Sequence, residues 1–256
     1  MRNFRILYSK EMIETVRSYR LVWIPVVFVI LGIMQPLVTY YMMDILEASS
    51  NVPAGLKESY VMPGSAAVMA QTLSQYGTIG MLILALGTMN SLAGERSSGA
   101  AEMLLVRPVA PVTIVCAKWA AHLTVLITAL GLGALGAGYY TEELMGPLSW
   151  SVIMAAAGIY ALWLLCAISL TLLFSAVLRG PAAAGIALLT AAGLTLAYSL
   201  MPDWFAWSPA ALPGISSRIL LDDFSAAAGP FLSAGVMIVL CIFGAALLIG
   251  RNKLPD

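Results

Sequence analysis

The sequence has 256 residues, of which 61% are hydrophobic and only 10% charged, and its formal net charge is zero. Soluble domains carry roughly 25% charged residues, so a mean hydropathy of +0.91 excludes a soluble globular protein and predicts an all-α integral membrane protein. No nucleic-acid partner is expected. The three cysteines, Cys116, Cys166 and Cys241, lie in or beside apolar runs at no metal spacing, and the single His122 cannot build a metal site alone.

Residues 1–20 read as an amphipathic leader helix. Phe4, Tyr8, Met12, Val16 and Tyr19 share one face, with Asn3, Lys10, Glu14 and Arg17 on another. A basic helix with an aromatic face, just before a span, suits the membrane–water interface. The first apolar run is long enough to span and stay, so no cleaved signal is expected. Span one covers about 21–43, interrupted by Pro25 and Pro36 and carrying Gln35. A polar segment follows, and its apolar second half (64–72) predicts a short helix leading into span two, at about 73–93. Span three covers about 111–140. Its small residues Ala129, Gly133 and Ala137, four apart, let another helix approach closely. Glu142 and Glu143 read as a short loop. Span four covers about 149–178, long enough to tilt or protrude. Arg179-Gly180-Pro181 makes a turn into span five (181–200). A loop with Trp204, Phe205 and Trp207 precedes span six (230–250).

Orientation follows from Lys and Arg. Eleven of the thirteen fall on the side of the leader, the 94–108 stretch, the turn after span four and the C-terminal tail; Lys57 and Arg218 fall opposite. The expectation is a multi-pass protein of the cell membrane with both termini cytoplasmic. No lysine stands in a Gly-x-x-x-x-Gly-Lys-[Ser/Thr] loop, so the chain is expected to bind no cofactor and to hold no catalytic site. No span interior shows the charge that ion-coupled carriers use. Gln35, Gln71, Gln75, Asn90 and His122 remain as polar residues inside the spans; they either bond between helices or line a substrate path, for which the four amides are the candidates.

The run Gly94-Glu95-Arg96-Ser97-Ser98-Gly99-Ala100-Ala101-Glu102-Met103-Leu104-Leu105-Val106-Arg107-Pro108-Val109, with Lys118 beyond it, resembles the cytoplasmic signature of type-2 ABC exporter permeases. That signature reads Glu-basic-x-x-Gly-Thr-x-Glu-x-Leu-Leu-x-x-Pro-Val, then Lys about ten residues on. Glu95, Arg96, Gly99, Glu102, Leu104, Leu105, Pro108, Val109 and Lys118 match; the family's Thr is Ala100. Lys10-Glu11 is similar to the family's leader helix, and the order of spans fits along the whole chain.

The resemblance implies two permease chains, identical or paralogous, working with two separate ABC ATPase subunits that hold ATP and Mg. The helix after span two would be the coupling helix that docks in an ATPase cleft, with the leader helix (Lys10, Glu11, Glu14, Arg17) moving beside it. The residues suit this independently: Met103, Leu104 and Leu105 form an apolar patch, and Glu95, Arg96, Glu102 and Arg107 set register through charge. The resemblance also implies that the loop before span six folds back as an external gate, with Trp204, Phe205 and Trp207 at its edge. The expected function is ATP-driven export of a hydrophobic or amphipathic substrate: a drug, lipid or antimicrobial peptide. The alternative is a non-pumping assembly or immunity subunit that sequesters a ligand or partner.

Overall fold

The computed structural model describes residues 2–48, 61–97, 110–223 and 227–251, and among them there is no strand. Six helices are long and apolar enough to cross a membrane.

The leader is α1 (Arg2–Arg17). Its bundle face is not the aromatic stripe alone. Glu11 and Thr15, four apart, are its buried residues, while Phe4, Val16 and Tyr19 are exposed. The reason lies in the surface it meets, which is polar: Tyr8 shares a 2.8 Å hydrogen bond with Thr124. The chain then turns sharply at Tyr19, whose φ of 57° is in the left-handed region that bulky residues seldom adopt.

Span one is α2 (Arg20–Tyr40), followed by the short α3 (Met42–Ala48). Span two is α4 (Ser65–Ser97), 33 residues long. The expected short lead-in helix and the span are therefore one continuous element. Gln71 and Gln75, polar but good helix formers, carry the helix through by bonding to α2. Within α4 a π turn (Tyr76–Gly80) adds a residue to one winding, and this aims Tyr76 at α2. Its ring stacks on Phe28 at 4.9 Å between centroids, and its hydroxyl donates to the Phe28 carbonyl at 2.9 Å.

Span three is α5 (Pro111–Met145), which runs through Glu142 and Glu143 instead of stopping before them. Glu is a strong helix former, and Glu142 accepts a 2.9 Å hydrogen bond from the Trp150 indole. The helix ends where Gly146 takes φ 107°, as glycine after a helix C-terminus often does. The backbones of α2 and α5 touch where they cross. A Cβ on Gly32 would lie 2.6 Å from the Gly133 carbonyl oxygen, and one on Gly133 would lie 3.0 Å from that of Phe28. Ala129 and Ala137 are fully buried on the same stripe.

Span four, α6 (Trp150–Ser175), is the most enclosed of the six and forms the centre of the bundle. Span five is α7 (Gly180–Leu200). The loop after it folds into α8 (Pro202–Phe205), a 3-10 turn (Pro209–Ala211) and α9 (Leu212–Leu220). α9 packs Leu212, Ile215, Ile219 and Leu220 inward, and Ser216 donates to the Ala156 carbonyl at 2.8 Å. Span six is α10 (Gly229–Arg251).

Candidate functional site

Four charged side chains from three separate elements meet at one end of the bundle. Glu11 comes from the inward face of α1, Lys10 from beside it, Glu95 from the last turn of α4, and Lys118 from about two turns inside α5. Lys118 Nζ lies 2.9 Å from Glu11 Oε1 and 2.9 Å from Glu95 Oε1. Lys10 Nζ lies 2.7 Å from the same Glu95 oxygen and 3.3 Å from Glu11 Oε1. Signs alternate around this closed ring, so its net charge is zero.

The members differ in burial. The Lys118 side chain is 2% exposed and that of Lys10 is 44% exposed. A buried ammonium is tolerated only when paired and hydrogen-bonded, and here two carboxylates meet that need. Partial burial disfavours the Lys10 charge, but its hydrogen bond to Glu95 and the charges of Glu95 and Glu11 outweigh this and hold its pKa above the ordinary value.

Arg96 points the other way. Its guanidinium donates to the Ala176 carbonyl and, at 3.1 Å, to that of Leu178, the carbonyls left open where α6 ends. Adjacent residues Glu95 and Arg96 thus fasten the end of α4 on two sides, to α1 and α5 and to α6. Gly250 of α10 approaches Pro111 of α5 at this end as well, since a Cβ there would lie 3.7 Å from the proline ring. The leader, the C-terminal end of α4, the start of α5, the α6–α7 turn and the C-terminal end of α10 therefore share one end of the bundle.

One turn further into α5, His122 Nε2 lies 3.2 Å from Ser91 Oγ and Nδ1 lies 3.5 Å from Thr88 Oγ1. Between α1, α4 and α5 a polar pocket of about 390 Å³ opens beside the ring, with Arg20, Asn90 and His122 in its wall.

Of the residues expected to meet an ATPase, Glu95 and Arg96 are in the structure as described. Gly99, Glu102, Met103, Leu104, Leu105, Arg107 and Pro108 lie outside the described residues. In the leader, Lys10 and Glu11 enter the ring, while Glu14 and Arg17 are exposed. The four candidate path residues separate into two groups. Gln35 donates to Gln71 at 2.8 Å, and Gln75 donates to Gln35. Asn90 stands fifteen residues beyond Gln75, about 22 Å further along α4, against Gly180. Trp204 is 80% exposed and Trp207 is also exposed, with Phe205 half-buried between them. Sequence reasoning missed Tyr76 and Ser91 as organising residues, whereas His122, expected to bond between helices or line a path, bonds across to Ser91. The available signal was a tyrosine followed closely by Gly77 and Gly80 within a span.

A family model described as ABC-2 family transporter protein matches residues 5–213. The chain belongs to that family. It is accordingly an ABC transporter permease, a multi-pass membrane subunit of a system that includes an ATPase. The permease is also similar to an uncharacterized transmembrane protein, YxlG, of Bacillus subtilis (strain 168). The two are 35% identical over 224 residues, 86% of each chain.

Proposed function

We propose that this permease is the membrane subunit of an ATP-driven exporter, powered by separate ATPase subunits, that moves a hydrophobic or amphipathic molecule out across the cell membrane. The observation that carries the reading is the charge ring. It joins the leader to the last turn of α4 and the first turns of α5, the two helix ends that frame residues 98–109. A force applied to that stretch reaches α1 and both spans together, because every ring member is bonded to two others. In this reading Glu102, Met103, Leu104 and Leu105 form the coupling helix, and Gly99, Arg107 and Pro108 bound it. Two ATPase subunits carry ATP and Mg, and a second permease chain, identical or paralogous, completes the complex. Both termini face the cytoplasm, in keeping with eleven of the thirteen Lys and Arg residues lying on that side. The Gln35–Gln71–Gln75 group then lies toward the outer face, as do Trp204, Phe205 and Trp207 at the gate.

The test is ATP turnover and substrate efflux in vesicles holding the permease and its co-purified ATPase. Leu104→Asp is expected to abolish efflux and its coupling to ATP turnover while the chain still elutes as a folded complex. Coupling that survives Leu104→Asp would refute the placement of the coupling helix. Isolation of the native chain without any ATPase would refute the class. Protection of cells that persists with a hydrolysis-dead ATPase would favour a sequestering subunit.

A further inference from the structure

The polar pocket of about 390 Å³ beside the charge ring holds two charges that the ring does not use. Nine of its eleven lining residues are polar or charged, so it suits a hydrophilic occupant and not an acyl chain. Most of these side chains are already committed. Lys10, Glu11 and Glu95 bond within the ring. Thr15 donates to the Glu11 carbonyl at 2.8 Å, and Ser91 pairs with His122. The Asn90 amide is turned toward Gly180. Arg20 and Glu14 remain, and neither side chain has an ion-pair or hydrogen-bond partner among the described residues.

Arg20 is the more demanding of the two. It opens α2, and a cationic side chain at a span end ordinarily reaches out to the interface. The Arg20 side chain is instead half-buried and turned into the bundle, where it lines both the pocket and a narrow cleft beside Ile24, Leu84 and His122. A guanidinium drawn out of water calls for an acceptor, and its planar fork matches a carboxylate or a phosphate. The carboxylates of Glu11 and Glu95 already face two ammonium groups, so the acceptor must come with the occupant. Glu14 is exposed and stands in water without cost, but it puts an unpaired negative charge on the same pocket. A bare anion would meet its repulsion, whereas an anion that carries its own cation would be drawn to it. Because Arg20 opens the first span, the pocket stands at headgroup depth, where the zwitterion at hand is phosphoethanolamine. The volume falls within the roughly 300–1,000 Å³ of small-molecule sites.

We infer that this pocket binds a phosphoethanolamine group, with the phosphate on the Arg20 guanidinium and the ammonium toward Glu14. Two sources carry that group: the headgroup of phosphatidylethanolamine and soluble glycerophosphoethanolamine. In the orientation proposed above, the lipid source is the inner leaflet. The site stands on its own geometry whether or not the permease is an exporter.

The full-length permease, purified in detergent, is titrated with phosphatidylethanolamine or phosphatidylglycerol of matched acyl chains, and native mass spectrometry counts the phospholipids that stay bound. Calorimetric titration with glycerophosphoethanolamine runs alongside. One phosphatidylethanolamine per chain is expected, retained in preference to phosphatidylglycerol. Arg20→Gln lowers binding about tenfold or more, the factor that hydrogen bonds to a charged group supply. Glu14→Gln removes the preference over phosphatidylglycerol. Gly94→Leu puts a side chain at the pocket wall and alters no charge. It lowers binding as well, and so reads the site even where Arg20→Gln is not recovered folded. Arg5→Gln, exposed on α1 and outside the pocket wall, changes nothing. Heat of binding that Arg20→Gln removes shows that the soluble group suffices; lipid retention without such heat assigns the site to the membrane lipid. Absence of both signals, equal retention of the two phospholipids, or binding indifferent to both Arg20→Gln and Gly94→Leu overturns the proposal.

Discussion

Replacing Lys118 by methionine keeps most of the side-chain volume and deletes the buried charge that the Glu11 and Glu95 carboxylates share. Each of its 2.9 Å contacts is worth about 6 kcal/mol before desolvation, at an effective dielectric constant of about 20. Desolvation returns much of that, and breaking a buried ion pair by removing one partner costs about 3–5 kcal/mol. Lys10 is a different case. Its side chain is 44% exposed, and exposed pairs contribute about 0–1 kcal/mol. Lys118→Met should therefore destabilise several times more than Lys10→Met, although both residues contact the same two oxygens. The double variant Lys118→Met/Glu11→Gln leaves a balanced Lys10–Glu95 pair, so it should be more stable than Lys118→Met alone. The assay is thermal unfolding of the purified chain in one detergent, followed by tryptophan fluorescence. A neutral Lys118→Met, equal losses for the two lysines, or a double variant worse than the sum of its singles would each refute the ring as a buried, mutually neutralising unit.

Gly133→Val places a branched side chain where a bare Cβ would already lie 2.6 Å from the Tyr76 hydroxyl and 3.0 Å from the Phe28 carbonyl oxygen. It should separate α2 from α5 and abolish recovery of folded protein on size-exclusion, while Gly131→Val, at an open position, should not. Lys10 supplies a pH prediction. Its folded pKa is raised above the ordinary 10.5, so its contribution is fully present below about pH 10.5 and is lost as pH climbs through the folded value. Cross-linking between a probe at Tyr8 and one at Thr124 should therefore stay constant from pH 6 to pH 9 and fall only above about pH 10.5. A fall between pH 7 and pH 9 that Lys10→Met abolishes would refute it.

The six spans were legible because a run of some twenty apolar residues with few charges has little alternative to crossing a bilayer. The ends were harder to place, since hydropathy marks where lipid stops and not where a helix stops. α4 and α5 both extend past the apolar run, through Gln71 and Gln75 in one case and Glu142 and Glu143 in the other. These residues break the hydropathy signal but favour the helix. The ring was half visible: Lys10, Glu11, Glu95 and Lys118 stood out as motif residues, but nothing in linear order showed that α1 turns Glu11 inward to meet Lys118. The π turn at Tyr76–Gly80 left only glycines as a clue, because an extra residue in one winding depends on what α2 and α6 present to it. Gln35, Gln71 and Gln75 do stand together, joined by hydrogen bonds between α2 and α4. Asn90 was grouped with them because its depth along α4 could not be judged before the helix ends were known.

The ring also has an order of manufacture. Glu11 is synthesised 107 residues before the lysine that neutralises it, and Lys10 is made 85 residues before Glu95. Until Lys118 is made, the Glu11 carboxylate lacks the buried ammonium that it meets in the finished fold. Docking becomes favourable only after α5 has begun and α4 and α5 stand side by side. The ring therefore spans most of the first half of the chain, and the leader's seat is complete only once α4 and α5 both stand beside it.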